Sequence, residues 1–172
     1  FLDQPGPGGR ITRDAYGAPR RNGTMETPFV VHVPASVLDG EPAGLLQNGH
    51  GILGDRYAGA DTYLADHAVE NNLVVFSVDW IGLAGEDQPF LVDVVRGDIG
   101  RFRAAVERQQ QGAINQLCAM RMMRGRFASD PELEIAGESV VDTSQRYYRG
   151  DSQGGIFGTV YMAMSTDVER GQ

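Results

Sequence analysis

The chain has 172 residues, enough for one domain with a substantial apolar core. Hydrophobic residues make up 41% of it and charged residues 22%, as in ordinary globular proteins. The formal net charge of −8 argues against nucleic-acid binding, because phosphate recognition requires clustered positive charge. No apolar run approaches the roughly 20 residues that a membrane-spanning helix requires, so we expect no membrane span. The composition leaves the cellular compartment open.

The first half of the chain predicts an irregular arm followed by strands and a helix. Residues 1–26 are rich in Gly, Pro and Arg without periodicity and are interpreted as an irregular N-terminal arm. The β-branched segment Thr27–Val33 predicts a strand, and Gly44–Gln47 predicts a short apolar strand. Thr62–Asn71 has the apolar spacing of a helix. Leu73–Trp80 is almost continuously apolar, which is typical of a strand covered on both faces.

The middle of the chain predicts a loop and a long helical region. Ile81–Phe90 is rich in Gly and acidic residues and is predicted to be a loop. Asp93–Arg126 is predicted to form one long helix, or two helices divided at Gly112. Cys118 lies in the apolar pattern of this region and is expected to be a small core residue. As the only cysteine, it cannot form a disulfide within the chain.

The last part of the chain predicts a strand followed by a helix. Phe127–Thr143 is interpreted as a connection, Gln145–Arg149 as a strand, and the segment from Gln153 to about Ser165 as a helix. Because strands alternate with helices along the chain, the expected fold class is α/β with a mainly parallel sheet. Residues 27–172 are assigned to the N-terminal part of one domain, which is expected to be incomplete and to end after the last predicted helix.

Residues 150–155 (GDSQGG) match the pattern G-x-S-x-G and lie between the last predicted strand and helix. A nucleophile on such a tight turn takes a strained backbone conformation that projects its hydroxyl from the sheet edge. The glycines two residues before and two residues after it have no Cβ, so strand and helix can pass close together. The helix that follows directs its first N–H groups at an oxygen that becomes negative. The pattern predicts Ser152 as a catalytic nucleophile.

A second motif, residues 47–54 (QNGHGILG), follows the short apolar strand. Together the two motifs resemble the α/β-hydrolase superfamily, specifically the lipase and esterase type with a His-Gly-x oxyanion loop. The resemblance runs from about Thr27 to Thr166 and covers the N-terminal half of that family's fold. It implies a mainly parallel sheet with helices on both faces, completed by a C-terminal part that this chain lacks.

The resemblance implies two backbone N–H groups that bind the oxyanion. One belongs to Gln153, the residue after the nucleophile, and the other belongs to Ile52 or, as the alternative, to Gly51. His50 would orient this loop and would not be the general base. His50, Gly51 and Asp151 are the expected substrate-binding residues around the nucleophile. For Asp151, an exposed position on the elbow without a binding role is the alternative.

Asp79 and Trp80 end the most apolar predicted strand. Ligands gather at the carboxyl edge of parallel sheets, so both residues are candidates for lining a substrate pocket. The alternative is that they anchor the loop that follows. No His, Cys, Asp or Glu residues have the spacing of metal ligands, and we expect neither a metal nor another cofactor.

The sequence does not contain the whole catalytic triad that the resemblance requires. After Ser152 it offers Asp167 and Glu169 but no histidine. The family's order is Ser, acid, His, and the acid follows a later strand, so Asp167 comes too early. All three histidines precede the nucleophile: His32, His50 and His67. The expected partner is the C-terminal half of the same hydrolase, as a second chain or a further segment, supplying the acid and the imidazole. The chain alone is expected to be unstable.

The predicted function is hydrolysis of a small-molecule carboxylic ester through an acyl-enzyme intermediate. Amide or peptide cleavage on the same scaffold is an alternative, because pocket residues set the leaving group. A non-catalytic binding module with a hydrolase-like fold is another. The string at residues 150–154 also resembles that of trypsin-like proteases. Against that class, Gln153 replaces a glycine, the following segment is helical, and a single cysteine fits poorly with disulfide-rich secreted enzymes.

Overall fold

The computed structural model describes residues 1–172 and has an α/β fold. Its strands are β1 (Phe29–His32), β2 (Ala43–Gly49), β3 (Leu73–Val78), β4 (Glu134–Ile135), β5 (Glu138–Ser139), β6 (Val141–Gly150) and β7 (Arg170–Gly171). Five of them form one sheet in the order β1-β3-β2-β6-β7, while β4 and β5 form a separate hairpin. Every neighbouring pair in the main sheet is parallel except β1 with β3. The predicted mainly parallel sheet is therefore confirmed.

Four α-helices connect these strands: α1 (Thr62–Asn71), α2 (Gln88–Arg96), α3 (Phe102–Met123) and α4 (Gln153–Met164). The bounds of α1 are those predicted from its apolar spacing. Short 3-10 turns lie between the main elements. No helix combines the length and the apolar character that crossing a membrane demands.

Helices cover both faces of the sheet, as expected. On one face, Leu45 of β2 belongs to a buried cluster with Met120 of α3. On the other face, Leu46 belongs to a cluster with Ala68 of α1. Successive residues of a strand point to opposite faces, which explains how one short apolar strand contributes to both clusters. The central strands β2 and β3 are buried along their whole length.

The prediction for the long helical region is wrong in its bounds. α2 begins at Gln88, inside the segment Ile81–Phe90 that was expected to be a loop. Pro89 lies in its first turn, where the fixed φ of proline suits a helix start. The predicted helix Asp93–Arg126 is then interrupted between α2 and α3. The side chain of Asp98 accepts a hydrogen bond from a backbone N–H two residues later and starts a new turn there.

Two further predictions about this region are also wrong. α3 continues through Gly112, which does not divide the helix. A Cβ atom at Gly112 would lie 3.1 Å from the carbonyl oxygen of Ile81, so this glycine permits a close contact. Cys118 is exposed and not part of the core. The buried face of α3 contains polar side chains such as Gln116, whose Nε2 donates to the Val78 carbonyl at 3.2 Å. Because hydrogen-bonded amides also occupy the buried face, the apolar pattern of the sequence does not show which face of α3 is buried.

Strand β6 is twice as long as the predicted strand Gln145–Arg149, and the predicted connection Phe127–Thr143 contains the β4–β5 hairpin. The polar composition of β6 has a structural explanation. The Arg146 side chain donates to the carbonyl of Asp167 and forms an ion pair with Glu169 at 2.7 Å. Polar side chains of β6 therefore bind the segment that leads into β7.

The N-terminal arm, residues 1–26, is irregular as predicted and is tied to α3. The buried carboxylate of Glu107 accepts hydrogen bonds from Arg10 Nε at 2.7 Å, from the Ile11 N–H at 2.9 Å and from Arg103 Nε at 3.0 Å. These bonds, that of Arg10 above all, lower the pKa of Glu107 to about 2 although burial opposes the shift. Long-range hydrogen bonds therefore hold a segment without regular structure.

Candidate functional site

Ser152 lies on the turn that joins β6 to α4. Its φ of 49° and ψ of −110° fall in a region that residues with a side chain rarely occupy. The residue is exposed, and its hydroxyl forms no hydrogen bond with the rest of the chain. Strained backbone of this kind is concentrated at functional sites and persists only where the surroundings hold it in place. The strained strand-to-helix turn predicted from the sequence is present.

Glycines around Ser152 allow strand and helix to approach. A Cβ atom at Gly150 would lie 2.3 Å from the carbonyl oxygen of Gly154, and one at Gly154 would overlap the carbonyl of Gly49. At Gly155 the nearest atom would be the Gly150 oxygen at 3.2 Å, a tight but less severe contact. Side chains at positions 150 and 154 would push β6, α4 and β2 apart.

The loop after β2 meets the elbow. In the parallel pair of β2 and β6, Gly49 lies opposite Gly150, so the two strands end at the same level. The Asp151 N–H donates to the Gly49 carbonyl at 3.0 Å. A Cβ atom built on Gly51 would lie 3.7 Å from the Cβ of Ser152. The fold thus brings together two glycine-rich motifs that are about 100 residues apart in the sequence.

Unused backbone donors are present at this junction. Among the hydrogen bonds of loops, turns and caps, none uses the N–H of Gln153, Ile52 or Gly51. Gln153 also opens α4, where the helix dipole favours negative charge. Its side chain is buried, and neither its Oε1 nor its Nε2 has a partner. The arrangement can stabilise a negatively charged oxygen next to Ser152, and it keeps both candidates for the loop donor open.

His50 is a buried part of the loop. Its Nε2 accepts a hydrogen bond from the Trp80 N–H at 2.8 Å, so the ring proton is on Nδ1 and donates to the Gly51 carbonyl at 2.8 Å. Both ring nitrogens are occupied, and the side chain is 1% exposed. The ring therefore ties the loop to the end of β3 and is not available as a base for Ser152.

Asp79 and Trp80 lie behind the edge of the sheet. The Oδ1 of Asp79 accepts from the backbone N–H of Arg56, and its Oδ2 accepts from Nη1 of the same residue, both at 2.6 Å. Trp80 is 1% exposed and packs in a cluster with Tyr148 and Tyr161. These contacts fit the alternative, in which both residues anchor the loops that follow, better than the lining of a pocket.

Asp151 is exposed and paired with Arg149. Its two oxygens accept from the guanidinium at 2.7 and 2.8 Å. Arg149 also donates to Asn48 Oδ1 at 3.1 Å and lies over the ring of Tyr63 in α1, 5.3 Å from its centroid. A carboxylate neutralised in this way presents little net charge to a substrate.

Sequence reasoning missed Tyr148, which supports the elbow from below. Its hydroxyl donates to the carbonyl of Gly154 at 2.7 Å, and burial raises its pKa to about 12, so it remains a donor at neutral pH. A Cβ atom at Gly158 of α4 would lie 2.3 Å from the Tyr148 ring. The glycine in an otherwise apolar helix was a signal that a large side chain packs there.

The other residues that could serve as a base or an acid for Ser152 do not lie at the turn. His67 is hydrogen-bonded to Asn71 on α1, and His32 is on β1, which β3 and β2 separate from β6. Asp167 is buried and paired with two arginines of the α3 end, with Arg124 Nη1 at 2.5 Å. No group of three His, Cys, Asp or Glu side chains has the arrangement needed to hold a metal ion.

Comparison with protein-family models gave no match for the chain, and comparison with curated proteins gave none either.

Proposed function

We propose that this chain carries the nucleophile and the oxyanion-binding groups of a serine hydrolase of the α/β-hydrolase type that acts on carboxylic esters. The observation that supports it most is the strained elbow of Ser152 beside the loop of Gly51, with 3.7 Å between the Ser152 Cβ and a Cβ built at residue 51. The serine hydroxyl is free, and the nearby N–H groups of Gln153 and of Ile52 or Gly51 are unused.

The chemistry follows from these groups. The Ser152 oxygen attacks the ester carbonyl carbon while its proton passes to an imidazole. The carbonyl oxygen becomes negative and accepts hydrogen bonds from the two N–H groups; one such donor is typically worth about 10²–10³ in kcat. Collapse expels the alcohol, which takes the proton from the imidazolium and leaves an acyl group on Ser152. Water, deprotonated by the same imidazole, then releases the acid and restores the serine.

The imidazole and its acid are assigned to polypeptide outside residues 1–172, the C-terminal half of the same hydrolase. α4 is apolar on all sides, and such helices are normally buried. Yet Ile156, Val160 and Met164, spaced four residues apart, form a stripe that is 70%, 54% and 49% exposed. The stripe starts one turn after Ser152, so a polypeptide that covers it comes within reach of the nucleophile.

A non-catalytic binding module is the second candidate. It is favoured by one observation: both ring nitrogens of His50, the histidine of the loop that meets the elbow, are already hydrogen-bonded. A binding module needs no general base. It offers no reason, however, for a strained and exposed serine beside unused N–H groups.

A serine-directed fluorophosphonate probe separates the two candidates. We expect it to label the native assembly at Ser152, as mapped by mass spectrometry, and to label neither Ser152→Ala nor a denatured sample. Ser129→Ala, which removes another exposed serine, is the matched control and should be labelled normally. An intact assembly that is not labelled supports the binding module. Rates on matched p-nitrophenyl esters and p-nitroanilides then distinguish esterase from amidase activity.

The same preparation tests the partner. Mass spectrometry of the native material should find a polypeptide with a histidine that crosslinks near Ser152. Rapid ester hydrolysis by the purified 172-residue chain as a monomer would contradict the assignment of the imidazole to other polypeptide.

A further inference from the structure

A cavity lies near the β1 edge of the sheet, away from the turn at Ser152. Its volume is 910 Å³, within the usual size range of small-molecule sites. It runs between the N-terminal arm, residues 1–5 and 21–27, and the side chains of Ile114, Cys118 and Met122 on α3. It also contacts β1, which β3 and β2 separate from β6, so the cavity is separate from the Ser152 site. We refer to it as the arm groove.

One buried polar group in the arm groove lacks a partner. Asn115 is 7% exposed, and its Oδ1 accepts from Gln111 Nε2 at 2.9 Å. Its Nδ2 forms no hydrogen bond. A buried amide donor without an acceptor lowers the stability of the fold. A ligand that supplies an oxygen acceptor removes this free-energy cost. Asn115 lines the groove, and a ligand oxygen placed against its amide would satisfy this donor.

The other walls indicate a ligand that is mainly apolar and carries no charge. Apolar side chains from the arm, β1 and α3 line the groove, namely Met25, Phe29, Ile114 and Met122. The charged side chains of the lining, Asp3, Arg21 and Glu26, are all exposed, so the buried part of the groove offers no charged side chain to a ligand. A carboxylate headgroup would lose its hydration there without gaining a charged partner, whereas a neutral carbonyl oxygen needs only one donor.

One wall of the arm groove is free to adjust. Residues 23–28 use no backbone N–H or carbonyl group in a hydrogen bond with the rest of the chain. This segment can therefore shift to admit a ligand without breaking hydrogen bonds, in contrast to the clamp around Glu107 that holds the first part of the arm.

We propose that the arm groove binds an uncharged acyl compound, a medium-chain ester or amide, whose carbonyl oxygen accepts a hydrogen bond from Asn115 Nδ2. The hydrocarbon chain lies along Ile114 and Met122. The proposal does not depend on the hydrolase assignment, because neither Ser152 nor its neighbours line this groove.

Cys118 supplies the readout, since it is the only cysteine, is exposed and lines the groove. Its rate of alkylation by iodoacetamide is measured on the native protein with increasing N-methyloctanamide, an amide that a serine esterase does not consume readily. We expect saturable slowing of alkylation. Asn115→Leu, of similar volume, should raise the half-protecting concentration about tenfold by removing the donor. Asn71→Ala, on α1 and outside the groove, should leave it unchanged.

Octanoate has a similar hydrocarbon chain but a charged headgroup, so it tests whether the groove prefers an uncharged ligand. It should protect Cys118 from alkylation at least tenfold less well than the amide. Calorimetry with Ile114→Trp, which fills the groove, gives an independent measurement and should show no binding heat. The proposal is overturned if N-methyloctanamide does not slow alkylation of the wild type. Equal protection of Asn115→Leu and wild type excludes the hydrogen bond, and equal protection by octanoate excludes the uncharged class.

Discussion

The carbonyl oxygen of Gly49 lies in the space that a side chain on Gly154 would occupy: an ideal Cβ at residue 154 would be 2.1 Å from that oxygen. Gly49 ends β2, and Gly154 lies in the first turn of α4. The contact therefore joins the end of β2 and the turn at Ser152 directly. The distance between the two motifs is determined by backbone packed on backbone.

Gly154→Ala is expected to destabilise the fold by about 3 kcal/mol, because backbone atoms at 2.1 Å cannot relax as a flexible side chain can. It should also reduce fluorophosphonate labelling of Ser152 by moving the elbow away from the loop. Urea-induced unfolding and the labelling rate measure the two effects. Gly6→Ala is the control, because no atom lies within 4 Å of its added Cβ. Equal stability of the two variants would contradict the close contact.

Replacing Ser152 by glycine should stabilise the protein while abolishing its reactivity. Glycine adopts a φ of 49° without steric cost, so the strain of roughly 1–3 kcal/mol is relieved. Part of the gain is offset by the greater freedom of glycine in the unfolded chain, about 0.5–1 kcal/mol. We expect a net increase of about 1 kcal/mol in the free energy of unfolding. Ser152→Ala keeps the strain and should show no such increase; identical stabilities for the two variants would argue against a strained elbow.

His50→Ala should cost about 2–3 kcal/mol of stability, because it removes both hydrogen bonds of a buried ring and leaves a cavity between the loop and β3. His67→Ala, on the partly exposed surface of α1, should cost less than about 0.5 kcal/mol. Urea titrations at neutral pH measure both. If His50→Ala unfolds at the same urea concentration as the wild type, the ring does not support the loop as described.

Glu107 should make the stability depend on acid pH. The pKa of its carboxyl is about 2 in the folded chain against an ordinary value of 4.5, so the contribution of Glu107 is fully present above pH 4.5. It is lost as the pH falls from 4.5 toward 2, because the unfolded chain takes up the proton first.

Glu107→Gln should reduce stability by about 2 kcal/mol at pH 7, since several charge-assisted hydrogen bonds to the arm are weakened. The difference from the wild type should shrink between pH 4.5 and pH 2, as measured by urea unfolding across that range. Arg103→Gln removes only one partner, which is 63% exposed, and should cost less. A difference that stays constant down to pH 2 would contradict the lowered pKa.

Several elements were predictable from the sequence because they depend on neighbouring residues. The bounds of α1 follow from its own apolar spacing, and the turn at Ser152 follows from glycines two positions away on each side. The break between α2 and α3 was not predicted. It depends on the side chain of Asp98, which begins a new turn within a segment whose apolar pattern continues. The exposure of Cys118 was also missed, because hydrogen-bonded amides such as Gln116 occupy the buried face of α3.

The sequence by itself determined the α/β class and the residue on the tight turn, since alternation of strands and helices and glycine spacing are local properties. Only the tertiary structure decided which groups meet at the edge of the sheet. His50 accepts from the N–H of Trp80, 30 residues away, and Asp79 binds Arg56, 23 residues away. Such pairings depend on how strands are ordered and packed, and no pattern of neighbouring residues encodes them. For the same reason, only the folded chain places Gly51 beside Ser152 and leaves Asn115 with a free donor in the arm groove.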